Sequence, residues 1–311
     1  MLRHNTNSRR SSRISFQITL HEQERRGIAV VDKPIQDIVS CMGNPVAGNP
    51  SQFMMERAFV DCNLDWRYLT LQVPAENLGE AMAGFRAMSF RGGNFTIPHK
   101  VAVLEYLDDL SDAARLMGAV NCVNVVDGQL IGENTDGKGF VQSLREVIDP
   151  TETKIVIMGA GGAARAIAVE LGLAGAASIT IVNRTESRGQ ELLTVLQQID
   201  NCRANLVTLD GDFEIDEDVQ VVINATSIGL GDAEAKVPLD VETLLPSMVV
   251  ADVVFNPPQT RLLRDAKQCG CQTLDGLAML VNQAVIGFKI WTKVDPDPNV
   301  MREALEEYLE L

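Results

Sequence analysis

One stretch limits what this chain can fold into more than any other: residues 154–188, KIVIMGAGGAARAIAVELGLAGAASITIVNRTESR. Its apolar opening, Ile155 to Met158, has the length of a buried parallel strand and runs straight into a glycine-rich turn followed by a helix-forming segment. Gly159 allows a tight turn, Gly161 lets backbone approach a phosphate, and Ala164 keeps the helix close to the sheet, giving the G-x-G-x-x-A form of the dinucleotide fingerprint. The first amides of that helix lack intrahelical partners and carry the positive end of its dipole, so Gly159, Ala160, Gly161, Gly162 and Ala163 form a candidate pyrophosphate cradle.

A second strand over 178–182 ends at Asn183-Arg184. An acid at that position would accept bonds from a ribose 2'-hydroxyl and repel a 2'-phosphate; none is present. Arg184 and Arg188 lie four residues apart at the start of the next helix, close enough to hold one phosphate from two sides. The expected cofactor is therefore NADP rather than NAD.

At 311 residues the chain can build two domains with cores of their own. A net charge of −15 argues against a nucleic-acid partner, because such binding is driven by phosphate neutralisation. No apolar run is long enough to span a bilayer. The first 26 residues stand apart with six arginines and two acids, and a flexible tail is expected there, without the apolar core of a secretory signal. The six cysteines are dispersed and the three histidines stand apart from them, so reduced thiols, no metal and a cytoplasmic location are expected.

Ahead of the fingerprint the pattern also alternates: a strand over 38–42, a helix over 51–62, a strand over 66–73 and a helix over 75–88. That order argues for a separate α/β domain. Residues 92–100, GGNFTIPHK, read as a short strand, then a proline opening a helix that ends near Leu110. Lys100 falls in that first turn, where the helix dipole disfavours a cation, which hints at function. His99 reads as structural or solvent-facing. Residues 121–134 read as a hairpin turning at Asp127-Gly128. Asp136 lies just beyond, at the junction with the next domain, where small-molecule clefts commonly form; it could also cap the helix read over 137–148.

Taken in order, GNFTIPHK, GAVNCV, ENTDGKGF, MGAGGAARA, VNRTESR, INATSIG and DGLAMLVNQA resemble the shikimate dehydrogenase family from about residue 38 to the end. The resemblance implies NADPH-dependent reduction of 3-dehydroshikimate to shikimate, in aromatic amino-acid (chorismate) biosynthesis. It aligns Lys100 and Asp136 with the family's catalytic Lys and Asp. It aligns Thr96, Asn121 and Gln283 with residues holding the substrate's ring hydroxyls, and Asn183, Arg184, Thr185 and Arg188 with the segment holding the 2'-phosphate. Ketone reduction agrees with those residues: hydride must reach carbon and a proton must reach oxygen, and Lys100 beside Asp136 can supply the proton.

Two positions depart from the family pattern. Gly48-Asn49-Pro50-Ser51 keeps only the second serine of a Ser-x-Ser pair that holds the substrate carboxylate, making Asn49 and Ser51 the candidates there, and Phe255 replaces a tyrosine. Related readings are a quinate or other ring hydroxy-acid dehydrogenase and, in another class, an NADP-binding sensor without turnover. The expected organisation is α/β with two domains and a cleft between them: a substrate domain over 1–136 (1–26 the tail), a doubly wound Rossmann NADP domain over 137–275 with a six-stranded open sheet, and C-terminal helices over 276–311 returning to the substrate domain. A monomer or homodimer is expected.

Overall fold

Strand and helix periods separate cleanly along the first third of the chain. The elements in order are β1 (Asp37–Gly43), α1 (Ser51–Asp61), β2 (Trp66–Gln72), α2 (Leu78–Ala87), β3 (Gly92–Phe95), α3 (His99–Ala102), β4 (Asp109–Leu110), α4 (Asp112–Met117), β5 (Cys122–Val126) and β6 (Gln129–Glu133). They build a six-stranded mixed sheet in the order β2-β1-β3-β5-β6-β4. Parallel neighbours need a crossover, which α1 and α2 supply, whereas β5 and β6 pair antiparallel across the two-residue turn. Asp127 and Gly128 at that turn both have positive φ, 52° and 80°, the pair a tight hairpin requires. The computed structural model describes residues 35–311; the tail expected over 1–26 lies outside the described residues.

Next, α5 (Thr135–Arg145) carries the chain into β7 (Lys154–Met158), α6 (Gly162–Leu173), β8 (Ser178–Asn183), α7 (Glu186–Leu196), β9 (Arg203–Thr208), β10 (Val221–Asn224), β11 (Val249–Asp252), α8 (Arg261–Gln268) and β12 (Gln272–Leu274). This second sheet is parallel throughout, in the order β12-β11-β10-β7-β8-β9. It is the doubly wound arrangement, with the order reversing between β7 and β10. Every residue of β10 and β11 is buried, as expected for central strands covered by helices on both faces.

The helix α9 (Gly276–Thr292) then returns to the first sheet, followed by α10 (Pro298–Leu309). Leu277, Val281, Ala284 and Phe288 of α9 share a core with Val39, Met54 and Phe59, and Trp291 donates its indole N–H to Val123 O at 2.9 Å. Each large apolar side chain buried there contributes about 1.5–3 kcal/mol. The other bridging helix, α5, turns Phe140, Val141 and Leu144 into the core of the second sheet.

Two readings need correction. The helix expected to reach Leu110 stops at Ala102, and a 3-10 turn follows over Val103–Tyr106; Asp108 N–H then bonds Leu130 O at 2.9 Å, so pairing with the hairpin wins over helix continuation. Asp136 does not cap α5: Asn134 does, its Oδ1 accepting the Asp136 N–H at 3.2 Å, which leaves the Asp136 carboxylate free to face elsewhere. The second sheet has the six strands expected; its sixth is β12, only three residues long and too short to show a period.

Close approach of α5 to α6 depends on Gly137. A Cβ built there would sit 2.2 Å from Ala166 O, so two backbones would have to separate. Gly137→Ala is expected to lose about 1–3 kcal/mol of stability, read as a lower urea midpoint. An unchanged midpoint would mean that the helix pair yields freely.

Candidate functional site

The fingerprint turn closes a cleft of about 620 Å³ at the carboxyl ends of β7, β8 and β10. All nine residues singled out for the cofactor line it: Gly159, Ala160, Gly161, Gly162 and Ala163 on one side, and Asn183, Arg184, Thr185 and Arg188 on the other. Gly159 has φ +111°, a backbone conformation that favours glycine. Gly161 and Gly162 need no such conformation, and a Cβ at either would touch nothing within 4 Å. Their missing side chains therefore serve space above the helix N-terminus rather than packing, as a pyrophosphate lying against those amides requires.

Beyond β8, Asn183 Nδ2 donates to Thr185 O at 2.7 Å and holds the turn into α7. Arg184 and Arg188 are exposed and line the cleft. Among the described residues neither guanidinium has an ion-pair or hydrogen-bond partner, so both are free to meet a phosphate. Together with the absence of an acid at the end of β8, this donor set fits NADP.

The far wall comes from loops after β10 and β11, including Thr226, Ser227 and Phe255. A buried carboxylate ties those loops together. Asp252 accepts from Asn224 Nδ2 at 2.9 Å, Val254 N–H at 3.0 Å and Thr260 Oγ1 at 2.7 Å. Burial pushes its pKa up, against the opposing pull of those three bonds. Sequence reasoning missed this anchor. An acid at the end of an apolar strand, VVADVVF, and a threonine before a helix were its available signals.

A second pocket, about 390 Å³, opens beside the first sheet, and Phe255 lines both cavities. Every residue singled out for substrate and catalysis lines it: Asn49, Ser51, Thr96, Lys100, Asn121, Asp136 and Gln283. Lys100 reaches it from α3 and Asp136 from the first turn of α5. Their side chains meet with Nζ donating to Oδ2 at 2.6 Å, at 35% and 20% side-chain exposure. Asn121 Nδ2 donates to the other carboxylate oxygen at 2.7 Å, and Asn121 Oδ1 accepts the Thr135 N–H at 2.7 Å. The hairpin and α5 thereby fix the carboxylate, and the carboxylate fixes the ammonium.

Gln283 comes from α9, held close to α5 because Gly139 leaves no side chain between them; a Cβ there would lie 2.6 Å from Gln283 N. Its Nε2 donates to Leu280 O at 2.9 Å. Asn94, Cys41 and Leu280 also line the pocket and were not anticipated. Asn94 is buried, donating to Asn121 O at 3.1 Å and accepting from Tyr68 Oη at 2.7 Å. Burial pushes the Cys41 thiol up to about 11, so it stays protonated near neutral pH and is no nucleophile. His99 is structural: it is fully buried, its Nε2–H donating to Val73 O at 2.7 Å.

Asn49 is turned inward. Its Oδ1 accepts the Ser51 N–H at 2.9 Å and its Nδ2 lies 3.6 Å from Cys41 Sγ. The Ser51 side chain is buried at the mouth of α1.

Comparison with known proteins follows the same division. Family models described as the shikimate dehydrogenase substrate binding domain, shikimate / quinate 5-dehydrogenase, and the shikimate 5'-dehydrogenase C-terminal domain match residues 41–123, 142–230 and 276–306. A shikimate dehydrogenase (NADP(+)) of Methanopyrus kandleri is 40% identical over 279 residues, covering 88% of this chain and 96% of that one. Among solved structures, the ligand-free 5-ketofructose reductase of Gluconobacter sp. strain CHM43 is 48% identical with TM-score 0.87, covering 88% and 99% of the two chains. A shikimate dehydrogenase in complex with NADP+ is 37% identical with TM-score 0.82, covering 88% and 96%.

Proposed function

The chain belongs to the shikimate dehydrogenase family, and we propose that it reduces 3-dehydroshikimate reversibly to shikimate, with Lys100 and Asp136 as its catalytic pair. The observation that carries this reading is the 2.6 Å Lys100–Asp136 contact inside a pocket that meets the dinucleotide cleft at Phe255. Bound NADPH supplies a hydride. Lys100 Nζ, positioned by Asp136, donates a proton to the carbonyl oxygen as it gains negative charge. In the reverse direction the same nitrogen takes that proton back. Thr96, Asn121 and Gln283 offer hydroxyl and amide groups for the substrate's ring hydroxyls, and Gly159 to Ala163 with Arg184 and Arg188 hold the cofactor.

The proposed organisation keeps residues up to 136 and 276–311 as the substrate domain and 137–275 as the cofactor domain, working in the cytoplasm as a monomer or homodimer. Among the described residues no helix is long and apolar enough to cross a membrane. A second reading, an uncharged sugar ketone as substrate, is favoured by the 48% identity to a 5-ketofructose reductase and by the inward turn of Asn49.

Asp136→Asn tests the pair. Losing one charge-assisted bond should lower kcat about 10- to 100-fold, more than it raises KM. A kcat within about threefold of the parent would remove Asp136 from the mechanism.

A further inference from the structure

We propose that the substrate pocket turns over uncharged polyhydroxy ketones as well as the carboxylate-bearing ring, and that Asn49 sets the balance between them. The proposal rests on the second reading above and deepens it. The Ser51 N–H opens α1 and is the first of that helix's unpartnered donors, a position at which a carboxylate oxygen gains from both the bond and the dipole. Here a neutral oxygen of the protein already occupies it, Asn49 Oδ1 at 2.9 Å. The same carboxamide directs Nδ2 toward Cys41 Sγ at 3.6 Å. Both polar ends of Asn49 are thus engaged by the protein before any substrate arrives.

The remaining lining points the same way. Lys100 is the one cation and Asp136 the one anion among the lining residues, and they neutralise each other at 2.6 Å. Phe255 lines the pocket without a hydroxyl. A carboxylate entering this space gives up its hydration without a free cation or an open helix amide to compensate. An uncharged polyol ketone carries no charge to desolvate, and its hydroxyls can pair with the polar groups of Thr96, Ser51 and Gln283. A pocket of about 390 Å³ has room for a small polyol or a small ring. The step is the same for either substrate: hydride from NADPH bonds to the carbonyl carbon, the C=O π pair moves to oxygen, and the Lys100 proton completes a secondary alcohol, with NADP+ released.

The test compares kcat/KM of the full chain for NADPH-dependent reduction of 5-keto-D-fructose and of 3-dehydroshikimate, in the parent, Asn49→Ser and Asn49→Asp. NADP+ affinity serves as the check that each variant is folded. The parent is expected to reduce the uncharged ketone at least as well as the acid. Asn49→Ser opens the Ser51 amide and adds a hydroxyl, so the ratio should move about tenfold or more toward the acid. Asn49→Asp keeps an oxygen on that amide but adds a negative charge, so the ratio should move about tenfold or more the other way. A merely structural Asn49 would shift both substrates alike. Reduction of the acid alone by the parent, or ratios unmoved in both variants, overturns the inference and leaves ketone reduction by Lys100 standing. Failure of the parent to reduce either ketone while binding NADP+ overturns both.

Discussion

Lys100→Ala is expected to lower kcat/KM for ketone reduction about 100- to 10,000-fold, the usual worth of a positioned general acid. The lost ammonium is the group that would meet the carbonyl oxygen, and it lies in the substrate pocket rather than in the dinucleotide cleft. NADP+ affinity should therefore change by less than about twofold, since no cofactor contact is removed. The variant also leaves Asp136 without its cation, although Asn121 still donates to the carboxylate at 2.7 Å. Comparing Lys100→Ala with Lys100→Arg separates proton donation from charge pairing: arginine keeps the positive charge but gives up a proton far less readily. Retained turnover in Lys100→Ala, within about threefold of the parent, would remove the lysine from the chemistry.

The second large effect is expected at the other end of the cofactor. Replacing Arg184 and Arg188 together by alanine should weaken NADP+ by about 1.5–3 kcal/mol for each charge-assisted bond lost, while NAD+, which lacks the 2'-phosphate, should hardly respond. Both guanidiniums are exposed, so part of each contact is screened by salt, and the loss should shrink as ionic strength rises. Isothermal titration with the two cofactors at low and high salt reads this directly. Equal weakening of NAD+ and NADP+ would make the arginines structural supports of α7 instead.

Much of this site was legible because its chemistry leaves residue-level marks in short segments. A turn that must approach a phosphate needs glycine, and Gly161 and Gly162 have no packing reason to be small. A strand end that must accept a 2'-phosphate lacks an acid and carries arginines, as Arg184 and Arg188 do. Lys100 was suspect because a cation in a first helical turn opposes the dipole; the structure answers with Asp136 at 2.6 Å. What stayed hidden depends on partners distant in sequence. Asp252 gains its meaning only from Asn224 and Thr260. The helix read as far as Leu110 stops at Ala102, and beyond it the Asp108 N–H pairs with Leu130 O of the hairpin. The direction of the Asn49 carboxamide is set by the Ser51 amide and Cys41 together, and no single-sequence period encodes it.

On the function we propose, this fold joins an NADP(H) cleft to a Lys100–Asp136 pocket in order to reduce a ketone. The most direct measurement offers the purified chain shikimate, quinate and 5-keto-D-fructose, the first two with NADP+ or NAD+ and the third with NADPH or NADH, and follows the reduced-cofactor absorbance. The expected result is substrate-dependent turnover with the phosphorylated cofactor, far slower turnover with the other, and loss of both in Lys100→Ala. Tight NADP+ binding without turnover of any of the three, or equal turnover by the parent and Lys100→Ala, would contradict it.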